Sequence, residues 1–550
     1  MVRTLRRDAV YDYLIVGSGF GGSVSALRLV EKGYDVLMLE KGSELKAEDF
    51  PETNWNIKRW LWAPVFGFRG LFQMRPFSHV QVLAGAGVGG GSLTYANTLP
   101  IPRAGFFNSP AWAGLANWES ELAPHYQTVR RMLGAAPTDF LAPSDALLKR
   151  VAAQRGTPEA FEKPHVAVFM GEPGKTVPDP YFGGAGPART GCVRCGSCMT
   201  GCRHGAKNTL DKNYLYFARK HGLKLQPDTE VMHVSPLPEG SGYRVEARFG
   251  KSYFRRERIV FEAKNVIFSG GALGTNSLLL RLRSDASALP KLSDQVGRRV
   301  RTNSESLICV TVPGSKEDHA KGIAINSLLQ TDEHSHLEMV RYGTGSGFFR
   351  TLVTAPHVRG GNAFLIILRM LVATLAHPIL TLRALFTRDW ARNTMILLYM
   401  RSTESTLRFV RNKLGVMDTE LEQGERPSAS MPEATELAHQ IAQMTGGIAR
   451  TMFAEQILNV PTTAHILGGS CMGASAAEGV IDARHRVFGY EGLYVIDGSA
   501  VSANVGVNPS LTISALAERA MTFIPKKAEL PVGASDSDGA RVAQPLSAAR

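Results

Sequence analysis

Cys192, Cys195, Cys198 and Cys202 stand in the pattern C-x2-C-x2-C-x3-C, followed at once by Arg203-His204-Gly205-Ala206-Lys207. Thiolates at this spacing match a bacterial ferredoxin segment, where a short loop wraps an iron–sulfur cube that presents several irons. The same sulfurs crowd badly around one tetrahedral zinc, whose ligands usually come as two separated pairs. An iron–sulfur cluster is the first expectation, with zinc, disulfides and free thiols as alternatives. A cluster would give a reduced cofactor a one-electron exit to a carrier.

Two glycine clusters could do different chemistry. Gly17-Ser18-Gly19-Phe20-Gly21-Gly22 satisfies G-x-G-x-x-G. Gly17 permits the tight turn, Gly19 lets backbone approach a pyrophosphate, and Gly22 lets helix and strand pack closely. The helix N-terminus then faces the phosphate charge. Glu40 ends the next strand, about 20 residues on, where a carboxylate holds ribose hydroxyls. This fingerprint does not separate FAD from NAD. The second cluster, Gly85-Ala86-Gly87-Val88-Gly89-Gly90-Gly91-Ser92, either lays bare backbone against something flat or charged, or makes an unusually tight bend.

The elements that must position these groups are legible in outline. An apolar run at 13–16 reads as a strand, 23–32 as a helix and 35–39 as a second strand. A run at 265–269 ends in Gly270-Gly271 and leads into a helix at 278–283. Near the C-terminus 492–496 reads as a strand and 509–521 as a helix. Between 301 and 460 the pattern is mixed, with strands at 306–312 and 395–400. The apolar stretch 363–386 is interrupted by Arg369, His377, Pro378 and Arg383, which argues against a spanning helix of about 20 predominantly apolar residues.

At 550 residues two or three domains are expected. The 44% hydrophobic and 20% charged content is ordinary for a folded protein. Lys and Arg number 62 against 49 Asp and Glu, giving +13, but they are dispersed and no nucleic-acid module is present. Ordinary solvation and an anionic membrane surface both stay open. Six cysteines, four in one stretch, do not make a disulfide framework at this size. The basic start, 1–8, has no apolar core ending in a cleavage site, and a cytoplasmic location is expected, with peripheral membrane contact.

At the level of whole motifs the sequence resembles the glucose-methanol-choline (GMC) oxidoreductase family, and within it the bacterial, mycobacterial-type cholesterol-oxidase-like branch. The likeness runs from about Tyr11 to Ile524. It is carried by the fingerprint, by 84–97, by 270–283, and by 463–513, which holds His465-Ile466-Leu467-Gly468-Gly469, Asp497-Gly498-Ser499 and Gly506-Val507-Asn508-Pro509. The resemblance implies an α/β fold. A Rossmann-like FAD-binding domain would be assembled from 8–100, 216–300 and 462–525. An α+β substrate domain with a mainly antiparallel sheet would comprise 101–215 and 301–461, including the cysteine segment 192–202. Residues 526–550 would form a disordered tail.

The same resemblance assigns residues. FAD would be held by Gly17, Gly19, Phe20, Gly22, Glu40, Gly85, Gly89, Gly90, Ser92, Asn97, Val231, Asp497 and Asn508. Thr94 stands where some relatives attach FAD through His, so non-covalent binding is expected. His465 and Asn508 would be the catalytic pair. A base must touch the hydroxyl oxygen as hydride leaves carbon. Glu338 aligns with a glutamate that moves a sterol double bond; a solvated glutamate on a sheet edge is the alternative. Cys309 and Cys471 read as packing residues.

The expected activity is oxidation of a lipophilic, sterol-like alcohol to the ketone, with steroid double-bond isomerisation. Electrons would pass to oxygen, or to a carrier protein or quinone. Alternatives are a long-chain or terpenoid alcohol, or an electron-transfer flavoprotein without its own substrate. The aromatic stretch 55–77 and the apolar stretch 363–386 suit either a membrane interface or an ordinary core.

Overall fold

The computed structural model describes residues 9–353 and 355–529. The strand Val10–Val16 sits mid-sheet because its side chains are apolar on both faces: Tyr11, Leu14 and Ile15 are all fully buried, as expected for a parallel strand covered on both sides. Around it the order is Lys224–Gln226, Val36–Leu39, Val10–Val16, Glu257–Phe268, Tyr243–Phe249 and Thr229–Pro236. The first four run parallel, Tyr243–Phe249 pairs antiparallel with Glu257–Phe268, and Thr229–Pro236 pairs antiparallel with Tyr243–Phe249. Leu493–Val495 adds in parallel to the end of Glu257–Phe268. One sheet thus draws on three distant stretches of chain.

The first helix, Phe20–Glu31, begins three residues before its expected start. Gly21 and Gly22 lie inside it, although glycine costs about 1 kcal/mol in a helix. Tertiary packing overrides propensity here. A Cβ on Gly21 would meet the Ile496 carbonyl oxygen at 1.9 Å, and one on Gly22 the Gly17 oxygen at 2.1 Å. Gly17 itself takes φ +102°, which only glycine adopts freely.

The second large sheet is antiparallel throughout, in the order Ala355–Pro356, Ile448–Thr451, Ser306–Thr311, Thr394–Arg401, Ser335–Val340, Ile325–Gln330 and Phe161–Glu162. Strand alternation divides its work. Ile308, Val310, Leu337, Met339, Leu397 and Tyr399 pack with Leu437 and Ile441 of the helix Pro432–Thr445. Leu307, Cys309, Val340, Ile396 and Leu398 face the other way.

The helices Ala363–Ala376 and Pro378–Leu385 form a pair bent by 97°, and among the described residues no single helix is long and apolar enough to cross a membrane. Pro378 breaks the run because it opens the second helix without a backbone N–H to continue the first. The aromatic stretch divides: Trp60 is fully buried and stacks on Phe72 at 4.6 Å, whereas Phe66 is 74% exposed. The expected tail lies outside the described residues from 530 onward. Its first residues are ordered, since Lys527–Glu529 form a 3-10 turn and Lys527 pairs with Asp12 at 2.6 Å.

Candidate active site

A cavity of about 450 Å³ runs from the glycine turn to the antiparallel sheet. At one end Gly17, Gly19, Phe20, Glu40 and Val231 line it; at the other stand Leu307, Cys309, Val340, Phe349, Trp390, Ile396, Leu398 and Met452. Two helix N-termini, of Phe20–Glu31 and Gly271–Arg283, open onto it. A Cβ built on Gly19, Gly271 or Gly274 would meet nothing within 4 Å, so bare backbone faces the space where a pyrophosphate would lie. The two glycine clusters touch: a Cβ on Gly90 would come within 2.7 Å of the Gly19 Cα.

Glu40 is buried, and its carboxylate accepts from Ser18 N at 3.0 Å, Ser18 Oγ at 2.8 Å and Gly42 N at 2.8 Å. Asp497 ties the end of one strand to the start of the second helix, accepting from Ser499 N and Gly271 N, both at 2.8 Å. Burial raises the Asp497 pKa, partly offset by these donors and the hydroxyls of Ser499 and Thr275.

Where the cradle meets the apolar sheet, four polar residues from distant segments converge. His465 lies between the strands Thr462–Thr463 and Leu467–Gly469, and Asn508 just precedes the helix Ser510–Thr522. His465 Nδ1 donates to Glu305 Oε1 at 2.6 Å. Asn508 Nδ2 reaches both Glu338 Oε2 at 3.2 Å and His465 Nε2 at 3.4 Å. Glu338 Oε1 stands 3.7 Å from His336 Nε2, and neither atom makes a hydrogen bond among the described residues. Among the described residues the buried Asn508 Oδ1 has no hydrogen-bond partner either.

Comparison with known proteins sets this geometry in a family. Residues 187–302 and 382–517 match the GMC oxidoreductase family, and 15–57 an NAD(P)-binding Rossmann-like domain. A cholesterol oxidase of Acinetobacter baumannii is 44% identical over 528 residues, covering 94% of this chain and 95% of that protein. The chain belongs to the GMC oxidoreductase family. A Mycobacterium tuberculosis cholesterol oxidase is also 44% identical, over 94% of this chain and 92% of its own length. The crystal structure of pyridoxine 4-oxidase from Mesorbium loti shares the fold at a TM-score of 0.58 and 16% identity, covering 93% of this chain and 98% of that one. This GMC oxidoreductase lies in the cholesterol-oxidase-like branch and is an FAD-dependent alcohol oxidoreductase.

Not every residue expected to touch the cofactor lines the cavity of this GMC oxidoreductase. Gly17, Gly19, Phe20, Glu40, Gly85, Gly90, Val231, Asp497, Asn508 and His465 do, and so does Thr94. Gly22, Gly89, Ser92 and Asn97 do not. Ser92 is taken up internally, donating to Gly89 O at 2.7 Å and accepting from Leu210 N at 3.2 Å. Asn97 is buried at φ 73° with both amide atoms unpartnered among the described residues. Glu338 does not line the cavity either, but it touches Asn508, which does. It is fully buried in a central strand, not solvated at a sheet edge. Cys309, read as packing, forms part of the cavity wall, while Cys471 is a buried thiol.

The cysteine segment turns out differently. Cys192 packs with Val166, Val168, Ala206 and Ile323, and Cys198 and Cys202 lean on the same cluster. All six cysteines are free thiols. Among the described residues no group of three or more His, Cys, Asp or Glu is arranged to hold a metal ion. The iron–sulfur expectation for Cys192, Cys195, Cys198 and Cys202 therefore finds no support among the described residues, although burial and then the nearby Cys198, Cys202 and Cys195 sulfurs push the Cys192 thiol up to about 12. The segment is nonetheless bolted to the cradle. Buried Lys207 donates to Leu93 O and Cys198 O, each at 2.9 Å, and sits 4.6 Å over the Tyr95 ring. Burial lowers its pKa to about 7.

Sequence reasoning missed Glu305. It precedes a strand in Asn303-Ser304-Glu305-Ser306, with no motif around it, and only folding brings it to His465.

Proposed function

We propose that this enzyme oxidises a sterol-like alcohol to the ketone, with oxygen as the electron acceptor. The observation that carries the reading is the junction of an apolar sheet face with one imidazole–amide pair. A rigid hydrocarbon would lie against Leu307, Ile396, Leu398 and Trp390 and present its hydroxyl to His465 and Asn508. The two relatives that are 44% identical and named cholesterol oxidases support the substrate class and the acceptor.

Gly17, Gly19, Glu40, Val231 and Asp497 line the end of the cavity that would hold FAD, which would supply the hydride acceptor for the carbinol carbon. His465 Nε2 takes the hydroxyl proton. The Asn508 amide, neutral and held by Glu338, orients the alcohol oxygen without competing for that proton. Glu338 supplies a second, water-shielded carboxylate at the same place, suited to moving a proton between carbons in double-bond isomerisation.

Peripheral membrane contact is part of the same reading. Phe364, Ile379 and Phe386 on the bent helix pair are 74%, 73% and 78% exposed. The segment 359–388 carries Arg359, Arg369, Arg383 and Arg388 and no acidic residue, a combination suited to an anionic bilayer surface. Trp390 and Val353, on either side of that segment, line the cavity.

The test is anaerobic addition of alcohols to the purified flavoprotein. A 3β-hydroxysterol should bleach the flavin, and H465A should slow bleaching by roughly 10²-fold or more. Bleaching by long-chain or terpenoid alcohols alone would overturn the substrate class. Bleaching by no alcohol would leave an electron-transfer component.

A further inference from the structure

Glu305 is a buried carboxylate with no part in the oxidation described above. It is 1% exposed and stands at the entrance to the strand Ser306–Thr311. Its Oε1 accepts from His465 Nδ1 at 2.6 Å and Thr463 Oγ1 at 2.8 Å, and its Oε2 accepts from Ala464 N at 2.9 Å. All three donors belong to consecutive residues, so the carboxylate clamps the loop that carries the histidine. An ionised carboxylate can only accept. The imidazole proton must therefore sit on Nδ1, which leaves Nε2 as a lone-pair acceptor beside Asn508.

We infer that Glu305 is a positioning residue for His465: it fixes the tautomer and ring orientation that let Nε2 accept the substrate proton, and its charge stabilises the resulting imidazolium. The inference rests on the reading of His465 as base. In the step, the O–H proton passes to Nε2, the carbinol hydrogen would leave with both C–H electrons as hydride to bound FAD, and the C=O bond forms. Glu305 stays ionised throughout, as the third member of a Ser-His-Asp triad does.

The ionisable groups around the pair can be named. Glu305 and Glu338 face His465, Glu455 faces Glu305, and His336 faces Glu338. Burial lowers the His465 pKa. The charge and hydrogen bond of Glu305, with a smaller contribution from Glu338, more than offset this and leave it raised. Glu455 is pushed up to about 7 by burial, so its negative charge adds to this field only from neutral pH upward. A base must be unprotonated in the free enzyme. The rate of flavin reduction should rise with pH through an imidazole limb above the ordinary value of about 6.5.

Stopped-flow flavin reduction by a sterol alcohol, measured anaerobically across pH, tests the role in wild type, E305Q and E305D. In E305Q the Ala464 N–H demands the amide oxygen, which turns the amide NH₂ toward His465 Nδ1. The imidazole proton then moves to Nε2, the wrong tautomer, and reduction should slow by about 10²–10⁴-fold. The residual limb should fall by about 1–3 pH units, the usual effect of losing an adjacent opposite charge. E305D keeps the charge at longer reach and should lie between the two in rate and limb. Should E305Q not retain flavin, E305D against wild type decides: a lowered limb supports the role and an unchanged limb overturns it. Equal slowing of both variants with a wild-type limb would mark Glu305 as structural and overturn it. A wild-type protein inert to every alcohol would overturn the base assignment and this inference together, whereas an active wild type with E305Q unaltered overturns this inference alone.

Discussion

The bent helix pair offers a quantitative test of membrane contact through F364S/I379S/F386S. Each of the three side chains is about three-quarters exposed in the protein, at 74%, 73% and 78%. Fully burying such a side chain contributes about 1.5–3 kcal/mol, so moving each from water into lipid is worth about 1–2 kcal/mol at its present exposure. The triple variant should forfeit roughly 3–6 kcal/mol of membrane affinity, a weakening of about 10²–10⁴-fold in the dissociation constant. Co-sedimentation with vesicles of mixed phosphatidylcholine and phosphatidylserine measures it. Wild-type binding should also weaken with added salt, because the four arginines of 359–388 are screened. Surface substitutions of this kind shift stability by only about 0.5 kcal/mol, so melting temperature and flavin content should hold. Flavin reduction by a detergent-solubilised sterol alcohol should hold as well. Equal sedimentation of variant and wild type, or none by the wild type, would refute the reasoning.

Four further outcomes are expected. G21A should purify with little flavin and a lowered melting temperature, because its Cβ would sit 1.9 Å from the Ile496 oxygen; full flavin occupancy would contradict the packing argument. D145A should cost about 3–5 kcal/mol in denaturant unfolding, since it strands the fully buried Arg341 guanidinium, held at 3.1 and 2.5 Å by the two carboxylate oxygens. E338Q should suppress double-bond isomerisation, followed by the appearance of conjugated enone, more strongly than ketone formation; equal losses would assign Glu338 to oxidation alone. Because the six cysteines form no disulfide, six thiols should titrate after denaturation without reductant; fewer would reveal a disulfide.

How much of the site was legible depended on whether a residue carries its meaning locally. Gly17, Gly19 and Glu40 could be read from spacing, because a strand–turn–helix fixes their positions within some 25 residues of chain. His465 and Asn508 were found through motif resemblance, and the fold places them 3.4 Å apart. Glu305 was invisible, since its partner lies 160 residues away. The cysteine run is the converse case: its iron–sulfur reading finds no support among the described residues. Its spacing is strongly patterned, yet Cys192 packs among Val166, Val168 and Ile323, contacts that no local pattern encodes.

By itself the sequence determined the nucleotide turn and the presence of strands in 301–460, set by short-range periodicity and glycine conformational freedom, and the α/β class through family resemblance. Only the tertiary structure decided which face of the antiparallel sheet meets the cofactor cradle, and that two carboxylates flank the histidine–asparagine pair. It also decided that the apolar stretch 363–386 is an exposed bent pair rather than core. Each of these depends on which distant surfaces exclude water from one another. That is settled by the packing of the whole chain and has no signature in any single segment.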